Sequence, residues 1–235
     1  MKAVTDDERL QAFADADEEQ IHPDGIAPRS TLEPSSMSVP LHILSLRRIA
    51  SETRNRVHSI QSGLPQGEKA KEETIRSLHT RLIEWRRNMP FPIPDLQSNV
   101  PHLCTNWFDL NYYTHLTLLY RPSPLYRTLD LNKVRILADA SAKAIRQAVL
   151  MHRQHRFSYN WLNLFGVFNS SLSLIYATAA QPDHLGLFLE QTKATSDLEL
   201  AVELLETFSL KFPSARKLQR MVNDVLARLR VYADE

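Results

Sequence analysis

The chain is short of three things that would narrow its chemistry: among 235 residues there is one cysteine, Cys104, five glycines, and no long uninterrupted apolar run. A single thiol cannot build a disulfide framework or any cysteine-based structural zinc site, because those need two to four thiolates around the metal. Five glycines against thirteen prolines argue against a sheet protein, whose hairpins and bulges use glycine where φ must be positive. The most apolar stretch, residues 161–180, is interrupted by Asn163, Asn169, Ser170, Ser171 and Ser173 and reads as a buried helix rather than a membrane span. An excess of charge is also missing. With 28 basic and 27 acidic side chains the net charge is +1, so no global field draws in nucleic acid. The first twenty residues are acidic and polar, unlike a secretory leader, so the expectation is a reducing, intracellular compartment.

What is present is helical periodicity divided by proline. Residues 1–40 carry acids (Asp6, Asp7, Glu8, and four more among Asp15 to Glu19) and then proline and serine, and are expected to form a partly ordered arm and linker. Residues 41–235 are expected to form one helical domain. Leu41, Leu44, Ile49, Val57 and Ile60 keep a loose helical period with Arg47, Arg48, Arg54 and Arg56 outside, ending at Gly63, Pro65 and Gly67. Ile75, Leu78, Leu82, Trp85 and Met89 form one apolar stripe, closed by Pro90, Pro92 and Pro94, with an extended crossing through Pro101. Residues 107–120 are apolar almost all round, and 131–152 are amphipathic. Residues 161–180 give a second central helix; Leu198 to Phe208 mark another, and Leu218 to Leu229 give the cleanest stripe. No segment alternates with period two. The predicted class is all-α: an irregular multi-helix bundle with two central, mostly apolar helices.

Signatures of catalysis are absent: no phosphate-binding glycine loop, nucleophile elbow or His-Glu-x-x-His motif occurs. His152 and His155 lack a third ligand and read as cations at a helix C-terminus. His102 and Cys104 lie on a proline-bounded loop with nothing to activate the thiol. Asp109, Tyr112, Tyr113 and His115 place polar groups on a helix that wants burial, and buried polar groups need partners. Hydrogen bonding within the bundle explains them; a pocket between the central helices is the functional alternative. Asn163, Gly166, Asn169 or Ser170, and Ser173 form a small, polar stripe on 161–180, read as a close helix crossing or as the opposite cavity wall. The ligand-pocket candidates are therefore Trp107, Asp109, Tyr112, Tyr113, His115, Trp161 and Asn169. No metal site, cofactor or catalytic residue is expected. Arg47, Arg48, Arg81, Arg86 and Arg87 read as solvated helix faces.

The run from Trp107 to Leu125, WFDLNYYTHLTLLYRPSPL, closely resembles a segment of the fungal-specific transcription factor domain, the middle homology region of binuclear zinc-cluster regulators. Residues 42–56, 75–90, 157–176 and 205–226, the last two flanking or containing Phe212-Pro213-Ser214-Ala215, resemble other helices of that domain in order. Thr5-Asp6-Asp7-Glu8 is similar to its acidic segment. The resemblance implies an all-helical regulatory body that follows a DNA-binding zinc cluster, works in the nucleus, and sometimes senses a small molecule. It brings no catalytic residues. The six-cysteine cluster and the helices of the domain's first half are absent here, so the expectation is a truncated relative with no specific DNA binding of its own. Expected partners are proteins, including a homo- or hetero-dimer with a related regulator, and a small-molecule effector; no membrane is expected. Two alternatives stand beside this: a free-standing small-molecule-binding protein or enzyme reusing the internal pocket, and a longer protein of which this is part.

Overall fold

The computed structural model describes residues 37–60, 67–90, 104–180 and 193–233, together with the backbone of 21–22 and 25–26. Two short antiparallel strands, Ile21–His22 and Gly25–Ile26, form the one feature that helical periodicity did not anticipate. Everything else regular among the described residues is helix: α1 (Ser38–Thr53, continued by a π-helical turn over Arg54–His58), α2 (Glu68–Arg87), α3 (Thr105–Tyr120), α4 (Leu131–Arg153), α5 (Trp161–Ala179), α6 (Ala194–Lys211) and α7 (Ala215–Ala233). The all-α reading holds. None of these helices is long and apolar enough to cross a membrane.

Local chemistry sets several boundaries. Asp130 caps α4 by accepting from the Lys133 amide at 2.9 Å, and Asn160 caps α5 by accepting from the Asn163 amide at 2.9 Å. The proline-bearing link after α3 is a folded clasp: the Ser123 amide donates to the Tyr126 carbonyl, the Tyr126 amide donates back to Ser123 Oγ, and the Leu125 amide reaches Val57 on the π-helical turn. Helix α1 begins at Ser38, three residues before the first predicted position, and the expected crossing through 91–103 lies outside the described residues.

The middle of the bundle has a further contributor. Helix α4, predicted as merely amphipathic, packs against α3, α5 and α6, and buries Val134, Leu137, Ala138, Ala140, Ser141, Ala142, Ala144, Ile145, Ala148, Val149 and Met151. Its alanine-rich sides let neighbouring helices approach closely, and Thr117 Oγ1 meets Ser141 Oγ across the α3–α4 seam. Helix α3 flanks it. Helix α5 buries one face against α4, α6 and α7 and leaves Trp161, Leu162, Phe165 and Leu172 open. The core is continuous from α1 to α7.

The small-residue stripe on α5 serves close approach. An added Cβ on Gly166 would meet Thr114 Cγ2 of α3 at 3.9 Å, an ordinary contact. Space beside it, among Leu110, Ala148, Phe157, Val167 and Ser170, amounts to about 10 Å³, no more than one water. Gly166→Ala is therefore expected to raise stability by about 0.5–1 kcal/mol, the helix-propensity gain without a clash, read as a higher Tm. A lower Tm would mean that the crossing has no slack.

Candidate functional site

The seven sequence-derived candidates lie on two helices, Trp107, Asp109, Tyr112, Tyr113 and His115 on α3 and Trp161 and Asn169 on α5. On α3, the Asp109 carboxylate accepts from Arg86 Nε of α2 at 2.6 Å and is a structural ion pair. Tyr112 and Tyr113 meet edge to face at 5.1 Å, with Lys143 of α4 over the Tyr113 ring. Burial first, and then its neighbour Tyr113, push the Tyr112 phenol up. His115 Nδ1 donates to the Asn111 carbonyl at 2.7 Å, and Asn111 Nδ2 donates to the Trp107 carbonyl, so both use their own helix. Trp107 packs edge-on to Phe108. Trp161 and Asn169 lie on α5, Trp161 stacked on Phe165 and leaning on Phe212. Hydrogen bonding inside the bundle, the first of the two readings of the α3 polar groups, accounts for Asp109, Asn111 and His115. Of the other groups weighed, His152 pairs with the Tyr159 hydroxyl, Cys104 is buried just before α3, and His102 lies outside the described residues. No cluster that could hold a metal ion occurs among the described residues.

Four histidines of the α1–α3 half share one electrostatic fate. His42 stacks on Trp85 at 4.9 Å, His58 Nε2 donates to the Leu118 carbonyl at 2.8 Å, and His79 Nδ1 shares a hydrogen bond with the Tyr120 hydroxyl. Burial is the leading cause that pushes His42, His58, His79 and His115 below the ordinary imidazole value, His42 to about 4. The unfolded chain then binds protons before the folded one as pH drops, so stability is full above about pH 6.5 and is lost below it. Tm should fall between pH 6.5 and 4.5, and His42→Gln should remove part of that slope, about 2 kcal/mol after allowing for the ring's partial solvation. A Tm flat over that window would contradict the neutral-histidine arrangement.

A further concavity among the described residues lies elsewhere, and the sequence reading missed it. A polar cleft of about 630 Å³ opens between the first turns of α2 (Glu68, Lys71, Glu72), the clasp from Pro124 to Asp130, and the start of α4 with Lys133. Lys133 is its pivot: a nearly buried ammonium that donates to both Glu72 and Asp130. Burial opposes the Lys133 charge, but the hydrogen bonds to Asp130 and Glu72 outweigh it and hold its pKa above the ordinary lysine value. Tyr126 donates its hydroxyl to Glu72 at 2.9 Å beneath the Lys133 ammonium, which sits 4.7 Å over the ring. Burial and that bond to Glu72 push the phenol up. Glu72 and Asp130 are held below their ordinary values, each first by its hydrogen bond to Lys133. Each shift favours the charge state that the hydrogen bonds use: ionised for Glu72, Asp130 and Lys133, neutral for Tyr126. The four groups make a rigid, mixed-charge wall suited to binding. Arg127 stands exposed at its rim, and no ion pair or hydrogen bond to another described residue engages it.

One signal was available locally: Asp130 three residues before Lys133 is a cap followed by a cation. Glu72 lies 61 residues from Lys133 and 54 from Tyr126, separations over which no sequence period operates.

Comparison with known proteins gives a distant relationship. The chain is 23% identical over 121 residues to a negative regulator of pleiotropic drug resistance from Candida glabrata, covering 51% of this chain and 11% of that protein. It is 23% identical over 146 residues to pyrimidine pathway regulatory protein 1 from Saccharomyces cerevisiae, covering 61% of this chain and 16% of that protein. The matched part is thus a small fraction of either regulator. No family profile matches the chain, and no solved structure does.

Proposed function

We propose that this chain is a regulatory module of transcriptional control, of the fungal transcription-factor-domain type, working in the nucleus through protein contacts and a small polar effector and reading no DNA itself. The observation that carries this reading is the similarity to two fungal regulatory proteins over half or more of the chain. Its helical body adds support: the segment that carries the resemblance, Trp107 to Leu125, builds α3 and the clasp that walls the cleft.

The effector site in this proposal is the cleft, not the seven candidates on α3 and α5, because the cleft combines about 630 Å³ of volume with Arg127, a cation that no other described residue engages. The rival enzyme reading has weaker support: Asp109 and His115, its acid–base candidates, are engaged by Arg86 and by the backbone of α3. The test fuses the full chain to a heterologous DNA-binding domain and measures a reporter. A change in expression in either direction supports the proposal, and an inert, well-expressed fusion overturns it. Thermal-shift screening against small polar metabolites tests the effector: a stabilising hit lost in Arg127→Glu supports the cleft, and a hit unaffected by that change moves the site elsewhere.

A further inference from the structure

The charges of the polar cleft cancel in sum but not in place. Six charged side chains line it: Glu68, Glu72 and Asp130 against Lys71, Lys133 and Arg127. Lys71 pairs with Glu68 at 2.7 Å, and that pair is neutral. Lys133 is divided between Glu72 and Asp130, so this group of three keeps one surplus negative charge. Arg127 pairs with none of them and is one surplus positive charge. The negative surplus has an open acceptor: Glu72 takes its hydrogen bonds from Tyr126 and Lys133 on Oε1, while Oε2 takes none from another described residue. The wall between the two charges is firmly built. Tyr126, the residue before Arg127, is tied to Glu72 by its hydroxyl and to Ser123 by its backbone, and the Lys71 and Lys133 ammonium groups lie 5.5 and 4.7 Å from its ring centroid.

We propose that the cleft binds a zwitterion, an α-amino acid or a short peptide, with its carboxylate on the Arg127 guanidinium and its ammonium on the free oxygen of Glu72. This rests on the reading of the cleft as the effector site and names the chemical class of the effector. Other classes fit the lining less well. A dianion would gain one guanidinium and lie against three carboxylates. A divalent cation would have Lys133 and Arg127 beside it, and no cluster of His, Cys, Asp or Glu able to hold a metal occurs among the described residues. An uncharged ligand would desolvate both surplus charges and return a partner to neither, which is costly. A ligand with one charge of each sign answers both, through charge-assisted hydrogen bonds, which are roughly twice as strong as neutral ones. The volume of about 630 Å³ lies within the roughly 300–1,000 Å³ of small-molecule sites. Each residue added to an extended peptide lengthens its reach by about 3.3–3.6 Å, so the length of the preferred ligand reports the separation of the two charges.

Titration calorimetry of the full chain against the standard L-amino acids, dialanine and trialanine is expected to find a binder, and its length distinguishes a free amino acid from a peptide. For that binder, N-acetylation and C-amidation should each weaken binding at least about tenfold, the worth of one charge-assisted bond. Arg127→Gln, at an exposed position, should keep the unliganded Tm and weaken the zwitterion by a similar factor. It should leave the affinity for the C-amide unchanged, because the amide never used the guanidinium. Glu72→Gln should act in the same way toward the N-acetyl form. Absence of binding by every one of these compounds at millimolar concentration overturns the inference, as does a blocked form that binds as tightly as the zwitterion. An Arg127→Gln chain that weakens the zwitterion and the amide alike overturns it too. A thermal-shift hit of another class, lost in Arg127→Glu, would keep the cleft as the effector site and overturn this ligand class. Zwitterion binding by a chain whose reporter fusion is inert would support the ligand class and overturn the regulatory reading.

Discussion

Replacing Arg146 with methionine is expected to destabilise the chain by about 3 kcal/mol at pH 7, because it strands a buried carboxylate. Asp197, in the first turn of α6, is 2% exposed and accepts two hydrogen bonds from Arg146 of α4, from Nε and from a terminal guanidinium nitrogen, both at 2.7 Å. Burial is the larger influence on Asp197 and raises its pKa despite those bonds. Removing the guanidinium raises it further. A carboxyl whose folded pKa lies above its unfolded one gains relative stability as pH falls, since the folded state then takes up the proton first. The deficit of Arg146→Met, measured by urea denaturation, should therefore be largest near neutrality and shrink toward pH 5. Adding Asp197→Leu should recover much of the loss at pH 7, since replacing both partners removes the uncompensated charge. A single mutant within about 0.5 kcal/mol of wild type would show that water reaches the carboxylate.

Phe108→Ala is expected to cost about 4 kcal/mol, a loss of roughly 10 °C in Tm for a chain of this size. Its ring is fully buried where α1, α2 and α3 meet, 5.8 Å from His42, 5.8 Å from Trp85 and 5.2 Å from Trp107. Those rings resist collapse into the vacated space. Trp85 is tied down by donating its indole N–H to the His42 carbonyl at 2.8 Å, and His42 is stacked upon it. The cavity term should therefore stand nearly in full. Leu210→Ala, on the exposed side of α6, is the control and should change stability by less than about 0.5 kcal/mol. Comparable losses at both positions would mean that the α1–α3 junction is looser than its ring contacts imply.

Both results depend on contacts that separate what the chain announces locally from what it does not. Phe108 was legible as a core residue because Phe108, Leu110, Leu116 and Leu119 recur around a helix bounded by Pro122 and Pro124. Asp197 was not, since an acid in a helix's first turn ordinarily serves the helix dipole in solvent. Only the neighbouring α4 puts it out of water. The α3 polar groups show the same limit. Their need for partners was readable, but whether Asp109 would meet a ligand or Arg86 depended on where α2 lies.

The sequence by itself determined the class and the seven helices of the described residues, because 3.6-residue periodicity and proline stops act within a few residues of each other. It also determined that α5 would be uncharged. Only the tertiary structure decided that α4 takes the middle of the bundle, that α5 is covered on one side and bare on the other, and that Glu72, Tyr126 and Lys133 converge on one cleft. Those outcomes depend on which faces meet across some fifty or sixty residues of chain, and composition along one helix carries no information about what its neighbours will cover.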